Sequence, residues 1–222
     1  MATLDVSAVL FDLDGTLIDS APDLGGAGND LRTRRGLPEL PLAHFRPMTS
    51  NGARGMLLVA LGLTPEHADF EPARLEFLEI YEARMTRATR VFDDMVPLLA
   101  ALHARTMPWG IVTNKITRYT EPIVQALGLA NRSAALVCGD TTPHAKPHPA
   151  PMFEAARQLG LAPERCAYVG DDLRDIQAGR AAGMPTIAVT WGYLGNESPV
   201  GDWGADHIVH HPAQLQALLG LG

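Results

Sequence analysis

The sequence predicts an α/β fold: a parallel sheet with helices on both faces and a small all-helical cap inserted after the first strand. Three observations predict it. Short apolar runs alternate with helix-period segments along most of the chain. The runs are apolar throughout, as expected of strands covered on both faces. Residues 17–90 break the alternation, carrying helical patterns and no convincing strand.

The first strand is Ser7–Phe11, a run that stops at Asp12. Later runs are Trp109–Val112, Ala134–Val137, Cys166–Val169, Thr186–Val189 and a weaker Asp206–Val209. Between them lie helical patterns at Val96–Ala104, Thr117–Leu127, Ala150–Leu159, Leu173–Ala182 and Ala213–Leu219, several of them stopped by glycine. The insert shows helices at Asp23–Arg35, Asn51–Leu61 and Glu66–Thr86, punctuated by Gly36, Pro38, Pro41 and Pro65. Two units follow: a core of residues 1–16 and 91–222, and a helical cap of residues 17–90.

Composition narrows the function. The chain has 222 residues, 46% of them hydrophobic, and a formal net charge of −7. That is enough to bury a core, and the acidic balance without basic runs argues against nucleic acid or an anionic membrane as partner. No apolar run is long enough to span a bilayer, and the first residues lack the basic and apolar regions of a signal peptide, so a cytoplasmic location is expected. Cys138 and Cys166 have no metal-ligand spacing and read as buried thiols; His210 and His211 read as surface residues. Only two lysines occur, Lys115 and Lys146, every other cation being arginine. A position that keeps lysine in such a chain is one where a compact point charge is needed.

In a doubly wound sheet, ligands bind beyond the carboxyl ends of the strands. Asp12 and Asp14 follow the first strand, Thr113 and Asn114 the second, Asp171 and Asp172 the fourth, and Lys146 lies in the connection after the third. Gly15 lets the chain turn sharply after Asp14. Asp171 and Asp175, four apart at a helix start, share a face. With Asp12 they make a hard-oxygen set suited to Mg²⁺. Thr113, turning backbone N–H groups and Lys146 suit an anionic oxygen. The set fits phosphoryl transfer, in which cations must offset the repulsion between a phosphate dianion and an anionic nucleophile. At the cap, Ser50–Gly55 begins a helix whose N-terminus, with Arg54, is a candidate receiver of a substrate carboxylate.

Phe11–Leu17, Val112-Thr113-Asn114, Lys146-Pro147 and Val169–Asp172 resemble, in order, the four motifs of the haloacid dehalogenase superfamily of phosphatases, and the insert resembles the cap of its phosphoglycolate phosphatase-like branch. The resemblance implies a Rossmann-like core with the main strands ordered 5-4-1-2-3. It implies Asp12 as nucleophile and Asp14 as proton donor and then base. Mg²⁺ would sit on the Asp12 carboxylate, the Asp14 carbonyl and Asp171, supported by Asp175, while Thr113 and Lys146 bind the phosphoryl group. Gly15, Thr16, Asn114, Arg54 and Lys115 would contact substrate, a small phosphorylated metabolite carrying a carboxylate. Leu75–Glu79, Trp109–Lys115, Gly170–Ile176 and Trp203–Asp206 look closer to bacterial N-acetylmuramic acid 6-phosphate phosphatases, the alternative reading. Asp14 disfavours dehalogenation, and the absence of lysine from residues 17–90 excludes a Schiff-base phosphonate cleavage. The Pro-Gly turn common in the family where the chain re-enters the core is replaced by Val91–Met95, a departure that bears on hinge shape. A non-catalytic binder on the same fold would have lost one of Asp12, Asp14, Lys146 or Asp171; all four are present.

Overall fold

The computed structural model describes residues 3–194 and 198–221. Its main sheet is built from β1 (Ala8–Phe11), β4 (Trp109–Val112), β5 (Ala135–Val137), β6 (Cys166–Gly170), β7 (Thr186–Val189) and β8 (His207–Val209). All neighbours pair in parallel, in the order β5-β4-β1-β6-β7-β8, which contains the expected 5-4-1-2-3 core with one strand added outside it.

Side chains alternate across each strand, so a strand covered on both faces divides its apolar residues between two cores. Val9 and Phe11 join Ile111, Val169 and Ile187 on one face. They pack there with helices α5 (Met95–Ala104), α6 (Thr117–Ala126) and α9 (Pro212–Leu218). Ala8 and Leu10 join Val112, Val137 and Tyr168 on the other, under α7 (Ala150–Leu159) and α8 (Leu173–Ala181). Phe11 and Leu10 are fully buried, worth about 1.5–3 kcal/mol each relative to exposure. Because all six strands run one way, their carboxyl ends lie along one rim.

Between β1 and α5 the chain forms α1 (Ala21–Arg34), α2 (Leu42–Phe45), a 3₁₀ turn at Arg46–Asn51, α3 (Gly52–Leu61) and α4 (Phe70–Glu82). These helices pack on one another, α1 against α3 and α4. Phe45 seats on α1 only because Gly28 has no side chain; a Cβ there would come within 2.6 Å of the Phe45 ring. Two details differ from the sequence expectation. The short α2 and the 3₁₀ turn occupy a stretch whose prolines read as loop. A two-stranded antiparallel ribbon, β2 (Ile18–Asp19) with β3 (Arg90–Val91), joins the ends of a segment that was expected to hold no strand. Two-residue strands carry no periodic signal; this ribbon exists because the outgoing and returning chains are brought side by side. α4 also starts later than Glu66, since Thr64–Phe70 turns back on itself through His67 N–H to Thr64 O and Phe70 N–H to His67 O.

Both cysteines are free and buried. Burial pushes the Cys166 thiol up to about 11, with Glu164 adding to it, and raises Cys138 as well. A raised thiol pKa leaves little thiolate at neutral pH. Iodoacetamide at pH 7.5 is therefore expected to modify neither cysteine in the folded protein and both after denaturation, as read by intact mass; rapid native labelling would contradict this packing.

Candidate active site

β1 delivers Asp12 to the rim, where its N–H is held by the Val169 carbonyl at 2.9 Å, locking the backbone between β1 and β6. Its Oδ1 accepts from Lys146 Nζ at 2.8 Å. Lys146 comes from the loop after β5. Its ammonium also meets Asp175 Oδ1 at 2.7 Å, the Val112 carbonyl at 2.9 Å and the Tyr168 hydroxyl at 2.9 Å. Burial opposes the charge on Lys146, but Asp12 and Asp175 outweigh it and hold the group above the ordinary lysine range. Asn114 fixes the loop: its Nδ2 donates to the Lys146 carbonyl and its Oδ1 accepts the Lys146 N–H, both at 2.9 Å.

Asp171, at the end of β6, is fully buried. Thr16 Oγ1 donates to its Oδ1 and Tyr193 N–H to its Oδ2, each at 2.8 Å. Gly15 makes the turn after Asp14 at φ +89°, and a Cβ there would fall 2.2 Å from Asp171 Oδ2. Asp12, Asp171 and Asp175 each bring a carboxylate oxygen within 4.8 Å of the others. Burial raises Asp12 to about 7, against Lys146 and with help from Asp175 and Asp14. Asp171 is driven well above the carboxylate range by burial, then by Asp12 and Asp175. One ammonium cannot neutralise three carboxylates, and hard oxygens this close suit a divalent cation. The donor set therefore fits a metal. Asp172 does not belong to it: the Asp172 carboxylate caps α8 and is gripped by Arg174 at 2.8 and 2.7 Å.

Asp14 accepts on Oδ1 from Ser20 Oγ and from Lys115 Nζ, the latter at 2.6 Å. Lys115 also donates to the Tyr81 hydroxyl of α4 at 3.0 Å. Burial opposes its charge, yet Asp14 and Tyr81 more than restore it. Above these groups opens a cavity of about 310 Å³. Asp12, Asp14, Thr113, Lys115 and Lys146 line it from the sheet side, with Leu24, Thr49–Ala53, Phe77, Leu78 and Tyr81 from the helical segment.

The haloacid dehalogenase-like hydrolase family model matches residues 6–183. This chain belongs to that family. It is 45% identical over 215 residues to the N-acetylmuramic acid 6-phosphate phosphatase of Pseudomonas aeruginosa, covering 97% of this chain and 95% of that protein. It is 47% identical over 209 residues to a phosphoglycolate phosphatase of Xanthomonas campestris pv. campestris, covering 94% of each. Among solved structures, a predicted phosphoglycolate phosphatase from Haemophilus somnus superposes with a TM-score of 0.83 at 27% identity, covering 98% of this chain and 99% of that one.

The hydrolase thus gathers Asp12, Asp14, Thr113, Asn114, Lys115, Lys146 and Asp175 around one cavity, with Asp171 behind it. Three of the expected substrate contacts are placed differently from the rest: Asn114 lines the cavity with its amide already paired, Thr16 is turned inward, and Arg54 lies outside the lining. The Thr16 hydroxyl is turned onto Asp171, and both ends of the Asn114 amide are taken by the Lys146 backbone. Arg54 is exposed and does not line the cavity. Gly52 and Ala53 face inward, and the helical turn of about 100° per residue carries Arg54 away from them. Its charge reaches Glu66, which is held below the usual carboxylate range mainly by Thr64 and its own backbone and then by Arg54. Arg174 lines the cavity instead, joining Asp172 to the Ser50 carbonyl at 2.9 Å. Tyr81, Tyr168 and Tyr193 were not foreseen; buried tyrosine hydroxyls seeking partners carry no local motif. Because Asn114 pairs both backbone groups of Lys146, Asn114→Ala is expected to lower unfolding free energy by about 1–3 kcal/mol, measured by urea denaturation.

Proposed function

We propose that this hydrolase is a phosphoric monoester phosphatase of the phosphoglycolate phosphatase type, working through an aspartyl-phosphate on Asp12. The observation that carries the reading is the Asp12–Lys146 pair on the floor of a cavity that Asp14 also lines. Asp12 attacks phosphorus as the bond to the leaving oxygen breaks, and Asp14 gives that oxygen a proton. Asp14 then takes a proton from water, whose oxygen displaces Asp12 from phosphorus. Lys146, Thr113 and the backbone N–H groups after β4 hold the phosphoryl oxygens. Residues 17–90 act as the cap that walls the cavity over a core of residues 1–16 and 91–222. Mg²⁺ fits the acidic cluster: Asp12, Asp171, Asp175 and the Asp14 carbonyl would hold it, and it would supply positive charge to offset the phosphate. Thr16 and Gly15 serve the site by placing Asp171.

The substrate is a small phosphorylated metabolite bearing a carboxylate. N-acetylmuramic acid 6-phosphate is a second reading, favoured by the cavity: Phe77, Leu78, Tyr81 and Tyr119 present an apolar and aromatic wall with more room than glycolate fills. The two free thiols agree with a cytoplasmic location. Among the described residues no helix is long and apolar enough to cross a membrane.

Asp12→Asn is expected to reduce phosphate release from 4-nitrophenyl phosphate by at least about a thousandfold; unchanged turnover would remove Asp12 from its role. EDTA should abolish activity and Mg²⁺ restore it, whereas full activity in EDTA excludes the metal role. Values of kcat/KM for phosphoglycolate and N-acetylmuramic acid 6-phosphate, compared side by side, decide the substrate.

A further inference from the structure

The contacts of Asp14 are one-sided. Oδ1 accepts from Ser20 Oγ and from Lys115 Nζ at 2.6 Å. Oδ2 has no hydrogen-bond partner among the described residues, and Asp14 lines the cavity. Lys115 is itself held in place. Its ammonium donates to the Tyr81 hydroxyl at 3.0 Å and lies 5.3 Å from the centre of the Tyr81 ring. Tyr81 is buried, stacked on Phe77 at 6.3 Å between ring centres and set edge-on to Tyr119 at 5.8 Å. A lysine stem has four rotatable bonds and samples many rotamers unless its end is captured. Here the end is captured twice, by a carboxylate on the sheet side and by a phenol on the helical side.

We propose that Tyr81 and Lys115 are positioning residues that make Asp14 Oδ2 the atom delivering the proton to the leaving oxygen. The inference rests on the phosphatase reading and deepens it. Two donors occupy Oδ1, which leaves Oδ2 as the oxygen of this cavity-lining carboxyl that is free to exchange a proton with the substrate. As the Asp12–phosphorus bond forms and the phosphorus–alkoxide bond breaks, the Oδ2 proton passes to the alkoxide oxygen. The product leaves as an alcohol, and the carboxylate formed at Asp14 is met by the Lys115 ammonium. In the second half-reaction water gives a proton to Oδ2 while its oxygen bonds to phosphorus and Asp12 departs. Ser20 follows the β2 strand of the ribbon and Tyr81 belongs to α4. The groups that hold Asp14 thus draw on both sides of the cavity, Lys115 from the sheet side and Ser20 and Tyr81 from the helical segment.

A leaving group that needs no proton separates this role from a structural one. Tyr81→Phe keeps the ring packing and removes the hydroxyl; Lys115→Met removes the ammonium; Ser20→Ala removes the second donor. Each is assayed as kcat/KM, which reports the steps through departure of the leaving group, on 4-nitrophenyl phosphate and on phosphoglycolate or another alkyl phosphate that the wild type hydrolyses. Tyr81→Phe and Ser20→Ala are expected to lose about tenfold more on the alkyl ester than on the aryl ester, and Lys115→Met about a hundredfold more. A thermal midpoint within a few degrees of wild type shows that Tyr81→Phe is folded. Equal losses on both esters would overturn the proposal while leaving the phosphatase reading intact. Failure of the wild type to hydrolyse any phosphate ester would remove both.

Discussion

The site depends on one buried ammonium. Lys146 sits where the carboxyl ends of β1, β4 and β6 converge, touching Asp12, Asp175, the Val112 carbonyl and the Tyr168 hydroxyl. Carboxylates this close and this dry repel one another and resist ionisation, as the upward shifts of Asp12 and Asp171 show. The ammonium bridges Asp12 and Asp175, and a charge so placed is costly to leave unpaired. The topology follows from that need. The lysine must reach the first strand from beyond the far edge of the sheet, so its loop crosses β4 and is pinned there by the Asn114 amide. Its position is set before any ligand arrives, which is what electrostatic preorganisation requires.

Chemistry and recognition come from different parts of the chain. Every group proposed to touch phosphorus stands on the sheet side, at a strand end or the loop after it. The aromatic wall comes largely from α4, with Tyr119 and Ile116 completing it from the sheet side. Besides the Lys115–Tyr81 bond, an arginine and a short strap join the halves. Arg174 spans from Asp172 to the Ser50 carbonyl. The segment Trp191-Gly192-Tyr193 links Asp171 to the start of α1: Tyr193 N–H binds Asp171, and the Tyr193 hydroxyl accepts from the Ser20 and Ala21 N–H groups and donates to Asp19. Trp191 Nε1 donates to the Thr16 carbonyl in the same strap.

Much of this was legible in the sequence because it is local. Strands with two covered faces are written as unbroken apolar runs, and each acid follows directly on such a run. The scarcity of lysine was the sharper signal, since Lys115 and Lys146 both line the cavity. Features made by distant pairing were not legible. The β2–β3 ribbon joins residues some seventy positions apart and has no period to read. Nothing near Thr16 says that its hydroxyl serves a carboxylate from the far end of the core. Arg54 and Arg174 show the same limit from both sides: each follows a helix start in the sequence, and only the rotation of its helix decides which of them meets the cavity.

The central place of β1 has a consequence for how the protein is made. Its partners in the sheet, β4 and β6, are about 100 and 160 residues further along the chain, and Tyr193 lies later still. During synthesis the first strand waits with both edges unpaired, beside helices that assemble early from local contacts. On a growing chain the helical segment is therefore complete in sequence well before the strands that form the floor of the site, so the floor is the part assembled across the longest sequence separations.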